Sequence, residues 1–183
     1  MILGMLSKDP GSSLANFDRA VEIVFGQEGG FSNDPADPGG ATSMGITEQT
    51  FEEAKQKGII PPNVVLKELT KDQAKQIYKA MYWDAVSADA FPWPIALATF
   101  DAAVNTGVSR AIAMLQQAVG TRIDGIVGAA TIKAAASAPE DALDRMLASR
   151  AIHYVDLAVL KPSLLAYRFG WLRRCFTIAR LSA

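Results

Sequence analysis

Glu28 is the residue whose setting in this chain can turn a carboxyl group into a reagent. Phe17, Val21 and Val24 recur at spacings of four and three, the apolar face of a helix, and the next step of four lands on Glu28. Its carboxylate thus continues an apolar stripe. Gly29 and Gly30 follow and are expected to end the helix, because glycine takes the left-handed capping conformation at no steric cost. Glu28 is then placed in the last turn, near the negative end of the helix dipole and half inside the core. Both effects disfavour the ionised form and push the pKa upward. A carboxylic acid of raised pKa at a pocket edge is the group that protonates a leaving oxygen in glycoside cleavage. A surface glutamate at a helix end fits the same spacing, and spacing alone does not separate the two.

From Phe31 to Thr47 the composition shifts to Pro, Gly, Asp, Asn and Ser. Asp34 and Asp37 each precede a proline and suit Asx turns, and Pro38-Gly39-Gly40 cannot continue a helix. The stretch reads as a turn-rich excursion with one small hairpin, folding back so that Asp34, Asp37, Thr42 and Ser43 become neighbours of Glu28. Asp37 is either a second carboxylate or water-positioning group, or simply the turn residue before Pro38. Asn33, Asp34 and Asp37 do not form a calcium loop, since the required register and terminal Glu are missing. No metal and no cofactor is expected. His153 and Cys175 are the single residues of their kind and have no partners for a metal or nucleophile site.

The chain has 183 residues, half of them hydrophobic and a fifth charged, which suits one globular domain with a sizeable core. No apolar run approaches the ~20 residues of a membrane span. Apolar Met1 to Leu6 give way at once to Lys8-Asp9-Pro10, so no export signal is read, and synthesis in a reducing cytoplasm is expected. Residues 1–91 carry 8 Lys/Arg against 13 Asp/Glu, a net −5, while residues 92–183 carry 10 against 6, a net +4. The basic half suits an anionic polymer or lipid surface and is too scattered for nucleic acid.

The elements that must position these residues read as helices. Residues 1–15 form an N-terminal arm, and a first helix starts with Asn16 as its cap. Thr47 caps a second helix that runs to Lys57 and stops at Gly58. Thr70 and Gln73 have capping-box spacing, and Leu69 and Ala74 have staple spacing, at the head of a third that ends near Tyr82-Trp83. Pro94 opens an Ala-rich helix closed by Gly107, with Asp101 and Asn105 one turn apart on a shared face. Ser109 to Val119, a short Ala-rich segment, and a longer stretch from Pro139 to about Ala158 follow. Leu143, Met146, Leu147, Arg150 and Tyr154 keep helical spacing in the last of these. Finally Leu165, Phe169, Leu172, Phe176 and Ala179 keep a four–three rhythm and are expected to face the core. Arg174 is expected in that interface, and Arg173 and Arg180, two turns apart on one face, toward an anionic wall surface.

Glu28-Gly29-Gly30-Phe31, then Asn33 to Gly40, then Thr42-x-x-Gly45-Ile46-Thr47 resemble the signature of the family 108 glycoside hydrolases. These are lysozyme-like N-acetylmuramidases of the phage endolysin type. The likeness continues through Tyr82-Trp83-Asp84, Phe100 to Gly107, Leu115-Gln116-Gln117, Asp124-Gly125-Ile126-Val127-Gly128-x-x-Thr131 and Gly170-Trp171-Leu172-x-Arg174, covering about residues 17–175.

This resemblance implies a mainly α, lysozyme-like fold with a small β or irregular excursion after the Glu28 helix. It implies a catalytic part over residues 16–108 and a helical peptidoglycan-binding part over 109–183 packed on it as one unit. It implies Glu28 as the catalytic acid, assisted by Asp37 and Thr42. Ser43 sits where the broader phage lysozyme spacing expects a threonine, so either hydroxyl can serve; Thr42 heads the Thr-x-x-Gly-Ile-Thr motif and is favoured. Ala129 replaces the proline of the Asp-Gly-x-x-Gly-Pro-x-Thr pattern. Ser43, Tyr82, Asn105 and Asp124 are the implied substrate-binding residues. Each has a plainer role open to it: Tyr82 and Trp83 as core aromatics, Asn105 as a structural amide, Asp124-Gly125 as a turn.

The implied substrate is the β-1,4 bond between N-acetylmuramic acid and N-acetylglucosamine in bacterial peptidoglycan. A monomer is expected that depends on a holin-like membrane protein to reach the wall. A lytic transglycosylase on the same bond, or a wall-binding accessory protein without turnover, are the rival readings.

Overall fold

The computed structural model describes residues 10–27 and 42–182. Glu28 and Asp37, with Asn33 and Asp34, lie outside the described residues. The elements are α1 (Pro10–Phe25), β1 (Thr42–Ser43), β2 (Ile46–Thr47), α2 (Glu48–Gln56), α3 (Lys71–Tyr78), α4 (Trp93–Thr106), α5 (Val108–Val119), α6 (Ala129–Ala136), α7 (Ala142–Leu160) and α8 (Arg168–Ser182). The fold is mainly α, with a two-stranded antiparallel sheet among the described residues.

Helix α4 is its axis. Every residue from Ile95 to Ala103 is buried, so this helix has no solvated face over that stretch and needs neighbours all round. It has them in α1, α5, α7 and α8. A single hydrophobic core results, running from Phe17 on α1 through Phe100 on α4 and Leu115 on α5 to Ile178 on α8. At one end Phe17, Trp83 and Phe100 meet edge to face, with centroids 5.3–6.2 Å apart.

Local chemistry sets most boundaries where the residues suggest. The Thr47 hydroxyl accepts the Thr50 amide and starts α2, and Gly58 beyond its end takes φ +68°. At α3 both halves of the Thr70–Gln73 capping box form, and Leu69 and Ala74 are buried beside it. Pro94 sits in the first turn of α4, and Gly107 closes that helix at φ +88°. After α3 the chain widens into a π-helical turn over Lys79–Trp83, and the Asp84 amide reaches back to the Lys79 carbonyl.

The hairpin pairs Thr42 with Thr47 and Ser43 with Ile46. Its two loop residues, Met44 at φ 49° and Gly45 at φ 77°, are both left-handed, as the right-handed twist of a two-residue hairpin requires. For Met44 that conformation is costly. The buried Tyr78 hydroxyl donates to the Met44 carbonyl at 2.9 Å, tying the strained loop to α3.

Two expectations need correction. Helix α1 begins at Pro10, six residues before the expected cap at Asn16, so most of the expected arm beyond residue 9 is helical. It also ends at Phe25 and not in a turn containing Glu28: the Gly26 amide bonds the Glu22 carbonyl, and Gln27 reaches only three residues back, to Val24. Gly26 thus precedes the glycines expected to stop the helix.

The second correction concerns α8. Phe169 and Phe176, expected inside, are 75% and 76% exposed, and Leu165 just before the helix, expected inside with them, is 44% exposed. The buried positions are Arg174, Cys175, Ile178 and Ser182, with Trp171 half-buried, a stripe about 180° round the helix from the two phenylalanines at 100° per residue. Arg174 sets this phase. Its guanidinium pairs with buried Asp101, and keeping that buried charge paired outweighs the exposure of two rings.

Candidate functional site

The end of α1, the end of α4 and the beginning of α8 converge on a depression of about 280 Å³ lined by Gln27, Asn105, Gly170, Trp171, Arg173 and Arg174. Gln27 is the residue before Glu28 in sequence. Asn105 is exposed at the mouth, and its side-chain oxygen accepts the Tyr154 hydroxyl. The amide nitrogen of Asn105 is thereby left as a donor toward solvent, suited to a carbonyl oxygen of a ligand. Trp171 stacks between Tyr154, at 4.9 Å and 21°, and Tyr167, at 6.1 Å and 28°.

Beneath this floor lies a buried polar cluster. Asp101 accepts Arg150 Nη1 at 2.5 Å on one oxygen, and Arg174 Nη2 at 2.8 Å and Nε at 3.0 Å on the other. Arg150 Nε in turn donates to the Tyr154 hydroxyl at 2.8 Å. Burial by itself would raise the Asp101 pKa, but the fields and hydrogen bonds of Arg150 and Arg174 together hold it below the usual carboxylate range. Burial raises the Tyr154 hydroxyl instead, so it stays protonated and donates to Asn105. The expected shared face of Asp101 and Asn105 is therefore one network: Asp101 anchors the arginines, Arg150 orients Tyr154, and Tyr154 orients Asn105 at the surface.

The other expected site residues are placed apart from this depression or support it indirectly. Ser43 is 5% exposed and faces inward, whereas Thr42, on the opposite face of β1, is half-buried. Tyr82 is half-buried with its ring 5.7 Å from Tyr78. Trp83 is a core residue, its indole N–H bonded to Asp89 at 2.7 Å.

Asp124 is exposed but internally engaged. The buried amide of Gln116 donates to Asp124 Oδ1 at 2.8 Å and accepts the Asp124 and Gly125 amides, and Asp124 Oδ1 also takes the Ile126 amide. These bonds, that from Gln116 first, lower its pKa. Asp124-Gly125 is a turn held by Gln116. His153 is half-buried beside Arg110, and burial, then the Arg110 charge, lowers its pKa.

Gln27, Trp171 and Arg174 were not singled out as site residues by spacing. The signal for the last two was present in Gly170-Trp171-Leu172-x-Arg174, where a cation interrupts neither stripe nor loop yet is buried.

Residues 21–107 match the family model described as glycosyl hydrolase 108, and residues 110–176 match one described as a predicted peptidoglycan domain. Among solved structures, that of Brucella abortus SagA superposes with a TM-score of 0.79 at 32% identity, covering 92% of this chain and 94% of that one. The chain belongs to glycosyl hydrolase family 108. No protein of curated function matches it. This family 108 member is a glycoside hydrolase acting on peptidoglycan, built on a mainly α, lysozyme-like fold. The first match ends at Gly107 and the second begins at Arg110, and the Asp101–Arg150–Arg174 cluster crosses that boundary beneath the depression.

Gly170 offers a direct check on the depression of this family 108 enzyme. A Cβ built there meets no described atom within 4 Å, so alanine fits among the described residues. Gly170→Ala should keep or raise the melting temperature, since alanine favours helix by up to about 1 kcal/mol. Turnover of intact wall should fall as the mouth narrows. Unchanged turnover in the alanine variant would place the glycan elsewhere.

Proposed function

We infer that the protein is an N-acetylmuramidase that hydrolyses the β-1,4 bond between N-acetylmuramic acid and N-acetylglucosamine. Glu28 acts as general acid on the leaving oxygen. Asp37, or a water held by it, offsets the developing oxocarbenium charge, with Thr42 beside it.

The observation that carries this reading is the depression itself. It is lined by the residue preceding Glu28, by an outward-facing amide on Asn105 that suits an N-acetyl carbonyl, and by a half-buried indole on Trp171. A guanidinium such as Arg173 pairs with the lactyl carboxylate of muramic acid. The greater exposure of Thr42 over Ser43 supports Thr42 as the working hydroxyl.

Mass spectrometry of digested peptidoglycan tests the reaction. The expected products end in reducing N-acetylmuramic acid, formed by water. Products ending in 1,6-anhydro sugar would overturn hydrolysis in favour of intramolecular transglycosylation, in which the sugar's own hydroxyl replaces water.

A further inference from the structure

Opposite its buried stripe, α8 presents Phe169, Phe176, Arg173 and Arg180 on one face. At 100° per residue they fall within a sector of about 60°. The two rings are three-quarters exposed, and Thr177 and Leu172 complete the surface between them. Phenylalanines so placed serve neither the core nor the depression, and a contiguous exposed apolar patch marks an interaction site.

Charge identifies the partner. From Lys161 to Ser182 there are four arginines and a lysine and no acid. Arg174 is spent on Asp101, which leaves Lys161, Arg168, Arg173 and Arg180 exposed around the rings. Among the described residues, Asp144 on α7 is an acid at the border of the patch, beside Phe176. A second copy of the chain is a poor occupant, because a two-fold contact sets this face against itself and brings arginine onto arginine. No described helix is long and apolar enough to cross a membrane. A helix with aromatic rings set among cations lies instead in the plane of an anionic bilayer surface.

We propose that this face of α8 docks on an anionic phospholipid bilayer, with Phe169 and Phe176 entering the boundary between headgroups and acyl chains and the flanking arginines pairing with lipid phosphates. Arg173 lies on this face and also lines the depression, so docking holds the site close to the membrane surface. The inference requires no catalytic assignment and is tested without catalysis.

The full chain should cosediment with phosphatidylcholine vesicles containing phosphatidylglycerol and not with phosphatidylcholine alone. Arg168→Gln with Arg180→Gln should weaken that binding about 25-fold, at roughly fivefold per cation. Phe169→Ala with Phe176→Ala should remove it while leaving the melting temperature unchanged. Independently, Phe176→Trp should show blue-shifted emission on the anionic vesicles, quenched by brominated acyl chains. Failure to bind anionic vesicles at low salt, or equal binding by the phenylalanine pair variant, overturns the proposal. A concentration-dependent dimer lost in that variant overturns it in favour of self-association. Loss of purified-wall binding without vesicle binding overturns it in favour of a glycan face.

Discussion

Replacing Asp101 by Asn is expected to destabilise the protein by about 3–5 kcal/mol, the cost of leaving buried charge without its counter-ion. Asparagine keeps the size of the side chain but removes the charge that faces two guanidiniums, both nearly inaccessible to water. It also turns one accepting oxygen into an N–H₂ group, which meets donors with donors. The cluster has little in reserve. Among the described residues it holds two cations to one anion, and there Arg150 Nη2 has no hydrogen-bond partner. For a chain of this size the melting temperature should fall by roughly 10 °C. Denaturant titration with circular dichroism measures this directly, and a loss below about 1 kcal/mol would mean that the cluster is not desolvated as described. The triple change Asp101→Leu, Arg150→Met and Arg174→Met should cost less than Asp101→Asn alone, because it removes these three charges together.

The sign of the pH dependence follows from the depressed Asp101 pKa. A carboxylate whose folded pKa lies below its unfolded value, about 3.9, contributes stability that is complete above that value. The contribution is lost as pH falls through the lower folded pKa. The parent should therefore keep the cluster intact across neutral and mildly acidic pH and lose it only below about pH 4, whereas Asp101→Asn should lack this acid limb.

How far the sequence reveals such features depends on whether they are local. The Thr47 cap, the Thr70–Gln73 box, Pro94 and Gly107 were legible because each is a contact within a few residues along the chain, decided by bonds that the neighbouring backbone must satisfy. The Asp101–Asn105 pairing was half legible. Their common face follows from helical spacing, but the arginines that give it meaning arrive from 49 and 73 residues away. The phase of α8 was misread for the same reason. Its phenylalanines make the better apolar stripe, and only the three-dimensional demand of Asp101 for a second guanidinium turns Arg174 inward and the rings out. The end of α1 was misread by a subtler competition. The Phe17–Val21–Val24 stripe extends in register to Glu28, yet Gly26 and Gln27 leave the helix after Phe25, so periodicity in the sequence outlasted the hydrogen-bonded ladder. With α1 ending at Phe25, the spacing of Glu28 no longer implies a pKa raised by the helix dipole. What remains for Glu28 is its place in the family 108 motif and its adjacency in sequence to Gln27, which lines the depression.

Glu28→Gln should accordingly abolish wall lysis, with kcat/KM lower by about 10²–10⁴-fold, the range a positioned general acid contributes, at an unchanged melting temperature. Glutamine preserves shape and hydrogen-bonding capacity but has no proton acidic enough to give to a departing sugar oxygen. Loss of activity alone would not distinguish an acid from a residue that merely shapes the site, so the leaving group is the better instrument. An alcohol of high pKa must be protonated as the glycosidic bond breaks, whereas a nitrophenolate departs without help. On a soluble oligosaccharide bearing a nitrophenyl aglycone, the defect of Glu28→Gln in the bond-breaking step should shrink toward parity, because that step no longer needs the proton. A defect equally large on both substrates would assign Glu28 a positioning role, and near-parental wall clearance by the folded variant would remove it from the mechanism altogether. Glu28→Asp completes the argument: it keeps the acid but withdraws it by one methylene, and a misplacement on the order of 1 Å costs about 10²-fold. It should remain impaired on wall and recover on the nitrophenyl substrate, as a correctly chosen group held at the wrong distance would.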